Sequence, residues 1–339
     1  MPTANPDHGE PPVPDVGGPR RDGRRPTAFT PPSLACDAHC HVFGPAALFP
    51  FSPTRTYTPP DSTIDDFERL QSRLGLSRAV FVQASCHGAD NRAMLDALAR
   101  GGGRYAGVAM IDESFTGDDL AELHAAGVRG IRFNFVAHLG GAPDLDRFWR
   151  LVGPIEQLGW HVDLHFDAKD LPACTGLLDA MPVPYIIDHM GRVPAAGGVG
   201  QEPFRLLLAR LGADERCWVK ISCAERLTAD KAACRHDGAC RRDAACRRDG
   251  ACRHDGACRQ DAACRHDVVP YHDVVPFARA LVDVAADRLL WGTDWPHPNL
   301  AVMPDEADLV DLLADFVPDR GTRTMILVDN PTRLYDFSA

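Results

Sequence analysis

The chain has 339 residues, 45% of them hydrophobic, and a formal net charge of −11. That length suits one large domain or two small ones. The surplus of acid argues against nucleic acid or an anionic membrane as the main partner, and leaves room for a local basic pocket. No apolar run approaches the roughly 18 residues of a spanning helix. The pairs Arg20–Arg21 and Arg24–Arg25 are not followed by the apolar core of an export signal, so a cytoplasmic protein is expected.

Residues 1–33 are rich in Pro, Gly, Arg and Asp. Such a stretch has little apolar surface to bury, and a disordered leader is expected there. From residue 34 to 337 the chain alternates between short apolar runs and stretches of helical spacing. The predicted strands are LACDAHC (34–40), RAVFVQAS (78–85), RYAGVAM (104–110), VRGIRFNF (128–135), WHVDLHF (160–166), PYIIDHM (184–190), CWVKISC (217–223) and RLLWGTD (288–294). Between them lie helix-like segments such as DDFERLQSRLG, DNRAMLDALARGG, GDDLAELHAAG and DLDRFWRLVGPIEQLG. Strictly alternating strands and helices imply a parallel sheet. Eight units over about 265 residues fit a single-domain α/β fold, the closed (β/α)8 TIM barrel, of roughly 250 residues. An open doubly wound sheet would bring a glycine-rich phosphate turn after its first strand. HCHVFGP is not one.

A low-complexity insertion, residues 231–268, follows the seventh strand. Its hexapeptide repeat places cysteines at 234, 240, 246, 252, 258 and 264. Structural zinc sites pair cysteines two to four residues apart, which this spacing does not. On a helix a six-residue step turns about 240°, so the thiols would not share a face. An inert or flexible insertion is expected. The other six cysteines are scattered through predicted strands and helices, and in a reducing compartment they read as buried thiols.

Barrel strands converge at their C-terminal ends on one mouth. Those ends carry His39 and His41, Ser85, Arg132, His165, His189 with Arg192 just beyond, Arg226, and Asp294. Each has a plain structural reading, such as a core histidine, a helix ion pair or a turn cap. Together they would be an odd set of buried polar groups, because each would need a partner.

DAHCHVFGP, FVQASCHG, RGIRFNF, IDHMGR and WGTDWPHPN resemble the amidohydrolase superfamily, and within it the 2-pyrone-4,6-dicarboxylate lactonases and related lactonases. The resemblance runs from Cys36 to Tyr335, broken by the repeat. It implies the barrel, a lactonase activity, and catalytic roles for His39, His41, His189 and Asp294. It also implies that Arg132, Arg192 and Arg226 bind substrate carboxylates, with Ser85 and Tyr57 as helpers. Two positions depart from the family pattern. The fifth strand carries His165 in place of a tyrosine, and VAHL, with His138, stands where an arginine follows RFNF. Both positions contact substrate in the family, so the lactone itself stays open.

Opening a lactone needs an attacking water and a polarised carbonyl. Asp294 suits the general base. The three histidines suit stabilisation of the oxyanion, directly or through a cation. Arginine forks match the carboxylates of a small anionic lactone. His165 contacts substrate in this scheme, or completes a zinc site with His39, His41 and Asp294. A site needing no cofactor and a site with one divalent metal both fit these residues. A decarboxylase on the same scaffold and a Cys/His metal-sequestering protein are the alternatives. The oligomeric state is not legible.

Overall fold

The computed structural model describes residues 13–136, 141, 143–229, 270–300 and 302–338. The predicted insertion and His138 lie outside the described residues. Eight strands run in chain order: β1 Cys36–Cys40, β2 Arg78–Val82, β3 Tyr105–Ala109, β4 Val128–Asn134, β5 His161–His165, β6 Tyr185–Ile187, β7 Cys217–Lys220 and β8 Leu289–Leu290. Each pairs in parallel with the next. The ring closes between β1 and the chain just past β8. There Ala38 N–H donates to the Trp291 carbonyl (2.8 Å) and Asp294 N–H donates to the His39 carbonyl (2.8 Å). A Cβ on Gly292 would overlap the His39 backbone and the Asp37 carboxylate, so this close approach requires glycine.

The helices are α1 Ile64–Leu74, α2 Arg92–Gly101, α3 Gly117–Ala125, α4 Leu145–Glu156, α5 Leu171–Asp179, α6 Glu202–Ala213, the short α7 Ala224–Leu227, α8 Val275–Ala285, α9 Glu306–Phe316, α10 Arg320–Thr324 and α11 Asn330–Tyr335. Their starts follow local chemistry. Thr63 with Asp66, and Thr116 with Asp119, form capping boxes that satisfy the free N–H groups of α1 and α3. Gly75 ends α1 in the left-handed conformation.

Strand alternation divides the apolar residues between two cores. Ala79, Phe81, Ile131, Val162, Leu164 and Val219 pack outward with the helices. Val80, Val82, Ala106, Val108, Ile186 and Trp218 form a second cluster inside the barrel, with Tyr335 and Phe337 of the C-terminal segment. The inward positions of β4, β5 and β7 nearer the mouth are polar: Arg132, Asp163, His165 and Lys220.

The leader departs from expectation. From residue 13 it is extended chain lying against the barrel. Val16 and Pro14 exchange backbone hydrogen bonds with Thr58. Farther on, α9 holds it through acids. Asp311 accepts from the backbone N–H groups of Thr27 and Ala28, both at 2.7 Å, and Arg24 pairs with Asp308 at 2.5 Å. Composition indicated a segment with no core of its own. It could not show that buried carboxylates elsewhere in the chain would hold it.

Candidate active site

Three strand ends, those of β1, β6 and β8, bring three imidazoles and the aspartate together. The β1 ladder shifts register between Asp37 and Cys40, where Ala38 and His39 oppose the single residue Val80. Such a bulge re-aims side chains. His39 and His41 still face one space, with ring centroids 5.0 Å apart and planes at 86°. His189 stands 4.5 Å from His39, centroid to centroid. It lies in the turn after β6, where His189, Met190, Gly191 and Arg192 all have positive φ. Asp294 has φ +63° and Cys223, after β7, +60°. Non-glycine residues held there cost about 1–3 kcal/mol each and cluster at functional sites.

Asp294 is the hub. Its Oδ1 lies 3.3 Å from His41 Nε2, 3.7 Å from His39 Nε2 and 3.9 Å from His189 Nε2. Its Oδ2 accepts from Arg226 Nε (3.1 Å) and Nη2 (2.8 Å). Burial works against its charge, but Arg226 first and His41 next hold its carboxyl well below the ordinary range. Asp294 is therefore an anion throughout the working range. Burial, and then the His39 ring, hold His189 well below the ordinary histidine range, so it is neutral.

The other nitrogens of these rings are also placed. His41 Nδ1 is 2.7 Å from the Val82 carbonyl. A carbonyl only accepts, so Nδ1 carries a proton. His189 Nδ1 is 2.9 Å from Ser222 Oγ. With Nδ1 protonated, neutral His41 points an Nε2 lone pair at the Asp294 carboxylate. That arrangement calls for a positive charge between them, either a second proton on His41 or a cation. His39, His41 and Asp294 offer ligand atoms that all lie within 4.8 Å of one another. The described residues thus include groups that suit a divalent metal in kind and spacing.

The structure does not bring His165 into that set. Its Nδ1 meets Asn134 Oδ1 at 3.0 Å and its Nε2 meets Arg192 Nη1 at 3.3 Å. A guanidinium against Nε2 takes the lone pair that a metal would need, so the zinc set of His39, His41, His165 and Asp294 is not formed. Arg226 also differs from expectation, since its fork is turned onto Asp294 and the Pro298 carbonyl (2.8 Å). Arg132 donates to Asp188 at 3.1 Å and lines a cavity of about 360 Å³ with Met110, Ile111, Phe133 and Asn134. Arg192 donates to Asp167 at 2.7 Å. Tyr57 is buried against Phe43 and Cys86, beside Ser85, the third residue past the β2 end. Burial pushes its hydroxyl well above the ordinary range.

Sequence reasoning missed the layer beneath. Lys220, Asp163 and Asp188 are fully buried, and Lys220 Nζ reaches Asp163 Oδ2 at 2.5 Å and Asp188 Oδ1 at 3.1 Å. Asp37 accepts from Thr293 N–H (2.9 Å) and Oγ (2.6 Å), pinning the Asp294 turn to β1. A signal was present: single charges inside CWVKISC and WHVDLHF, at positions whose alternation points inward.

The amidohydrolase family model matches residues 36–337. The chain belongs to the amidohydrolase family. This amidohydrolase is 43% identical over 310 residues to a 2-pyrone-4,6-dicarboxylate hydrolase of Comamonas testosteroni, covering 91% of the chain and 92% of the relative. It is 39% identical over 329 residues to a 4-sulfomuconolactone hydrolase of Rhizobium radiobacter, covering 95% and 96%. A solved Pseudomonas putida structure, assigned as a 2-pyrone-4,6-dicarboxylic acid hydrolase, superposes with a TM-score of 0.70 at 29% identity, over 90% of this chain and 98% of that one.

Proposed function

We propose that this amidohydrolase hydrolyses a small carboxylated lactone, of the kind met in the breakdown of aromatic compounds, by attack of water on the ring carbonyl. The observation that carries the reading is the Asp294 carboxylate, ringed by three imidazole nitrogens at 3.3–3.9 Å, at a mouth that also holds Arg132 and Arg192. The names of the two relatives support the substrate class. Each is a hydrolase of an anionic lactone.

Arg132 and Arg192 hold the substrate carboxylates, which sets the ring's orientation over Asp294. Water held against Asp294 Oδ1 gives it a proton as its oxygen attacks the carbonyl carbon. The tetrahedral intermediate then collapses, the ring C–O bond breaks, and Asp294 returns the proton to the leaving ring oxygen. Arg226 keeps Asp294 ionised and aimed. The histidines face the developing oxyanion. A divalent cation held by His41 and Asp294 would add Lewis-acid polarisation of the carbonyl. His165, with a lone pair turned to Arg192, orients that arginine. Tyr57 and Ser85 close the β2 side of the mouth.

The test is a panel of lactones assayed by loss of ring absorbance, with the product mass measured. A gain of one water supports the reading, and loss of carbon dioxide replaces it with decarboxylation. Arg132→Met or Arg192→Met should cost about 2–5 kcal/mol in kcat/KM on a carboxylated lactone, the range for stripping a buried charge of its partner. A neutral ester lactone should change much less. Equal losses on both substrates would remove the arginines from carboxylate binding.

A further inference from the structure

Lys220 has no part in the scheme above, yet it touches the site from below. It is fully buried at the end of β7. Its Nζ donates to Asp163 Oδ2 at 2.5 Å and to His39 Nδ1 at 3.1 Å, with Asp188 Oδ1 at 3.1 Å. Two carboxylates keep the ammonium charged: burial opposes its charge, but Asp163 and Asp188 hold its pKa above the ordinary lysine value. An ammonium has three donors and no lone pair. The ring nitrogen it meets must therefore accept.

That settles where the proton of His39 sits. A ring nitrogen that accepts carries no proton, so His39 can hold only one, and the ring is neutral. A neutral imidazole carries one N–H. With Nδ1 accepting from Lys220, that proton is on Nε2. His39 Nε2 is buried, has no hydrogen-bond partner among the described residues, and lies 3.7 Å from Asp294 Oδ1. The competing arrangement would put the proton on Nδ1, donating to Asp188 Oδ1 at 3.4 Å. It would also set an N–H against the Lys220 ammonium at the shorter distance.

We propose that Lys220 is a positioning residue that holds His39 as its Nε2–H tautomer, making His39 a hydrogen-bond donor to the reacting carbonyl and not a metal ligand. The proposal rests on the lactonase reading for the identity of that carbonyl. The two histidines of HCH then differ. His39 has its proton on Nε2, turned to the oxyanion, whereas His41 has one on Nδ1, tied to the Val82 carbonyl. A divalent cation would find its nitrogen ligand at His41, with His39 set apart from it by Lys220.

The test is nitrogen NMR of the whole protein labelled in its histidine rings, with the His39 signals assigned by their loss in His39→Gln. The expected spectrum of the parent has a protonated Nε2 and an unprotonated Nδ1 on His39. A proton on Nδ1 overturns the proposal, whatever any variant does. In Lys220→Met the proton should move to Nδ1, with Asp188 as its acceptor. On a turned-over lactone kcat should then fall about 100-fold or more, the range for losing one oxyanion donor, with KM nearly unchanged. Zinc affinity, read by calorimetry, should rise as Nε2 gains a lone pair. An unchanged His39 tautomer in the variant, or unchanged zinc affinity, counts against Lys220 as the determinant. Should Lys220→Met fail to fold, the pair Lys220→Met with Asp163→Asn removes both charges together and is read the same way. If no lactone is turned over by the parent, the lactonase reading fails while the tautomer is still decided by the spectrum.

Discussion

At the scale of single residues the site separates charge from proton transfer. Asp294 is held anionic by Arg226, and the nearby rings of His39 and His189 are held neutral by burial. Asp294→Asn keeps the shape and loses the proton acceptor. It should lower kcat by at least about 100-fold, within the range for a general base, with substrate affinity retained by calorimetry. Turnover within tenfold of the parent would remove Asp294 as the base. A second buried group, His297, lies between Glu225 (3.6 Å) and Glu306 (3.7 Å). Burial opposes its charge, yet the two glutamates raise its pKa from 6.5 to about 9. A raised histidine stabilises the fold fully below its unfolded pKa, and that contribution is lost as pH climbs through the folded value. The thermal midpoint should therefore fall between pH 7 and about 9.5 in the parent. In His297→Gln that fall should be clearly shallower, and equal slopes in the two proteins would show that His297 is not its source.

At the scale of elements, what places the site is the joint between β1 and the end of β8. The Asp37 carboxylate, Gly292 and Thr293 bind the two edges so closely that Asp294 and the HCH histidines share one space. Helix α9 plays a similar part for the leader. Asp311 is buried and accepts from two backbone N–H groups, the Thr27 hydroxyl (3.1 Å) and Arg24 (2.6 Å). Asp311→Ala would strand those donors, and should destabilise the protein by about 1–3 kcal/mol in denaturant unfolding. It should also speed proteolysis within residues 13–30. Cleavage at the parent's rate would mean that the leader does not depend on α9.

At the scale of the whole molecule the insertion is the outlying feature, and we propose that the barrel does not need it. The described residues run to Ala229 and resume at Pro270. One carboxylate ties the two stems. Asp273 accepts from Thr228 Oγ (2.7 Å) and from Ala229 N–H (2.7 Å). With its ends clamped, the length between them has little bearing on stability, because closure entropy grows only slowly with loop length. Deleting residues 231–268 should shift the thermal midpoint by no more than about 2 °C and leave lactone turnover in place. Loss of soluble protein would show that the segment packs into the barrel. Among the described residues no helix is long and apolar enough to cross a membrane.

Most of the architecture was legible in order and spacing. Eight apolar runs alternating with helical stretches can bury both faces of a parallel sheet in few ways, and all eight strands formed where the runs lay. His39, His41, His189 and Asp294 could be picked out because strand ends in such a barrel converge. Which partner each group takes was a matter of three-dimensional neighbours. Arg226 and Asp294 are 68 residues apart in the chain, and Lys220 and His39 are 181 apart. No local pattern encodes such pairings, so the turn of Arg226 onto Asp294, the contact of His165 with Arg192 and the lysine beneath His39 emerged only from the fold. The leader makes the same point on the surface: its composition denied it a core of its own, and only the packed barrel presents the buried acids of α9 that hold it.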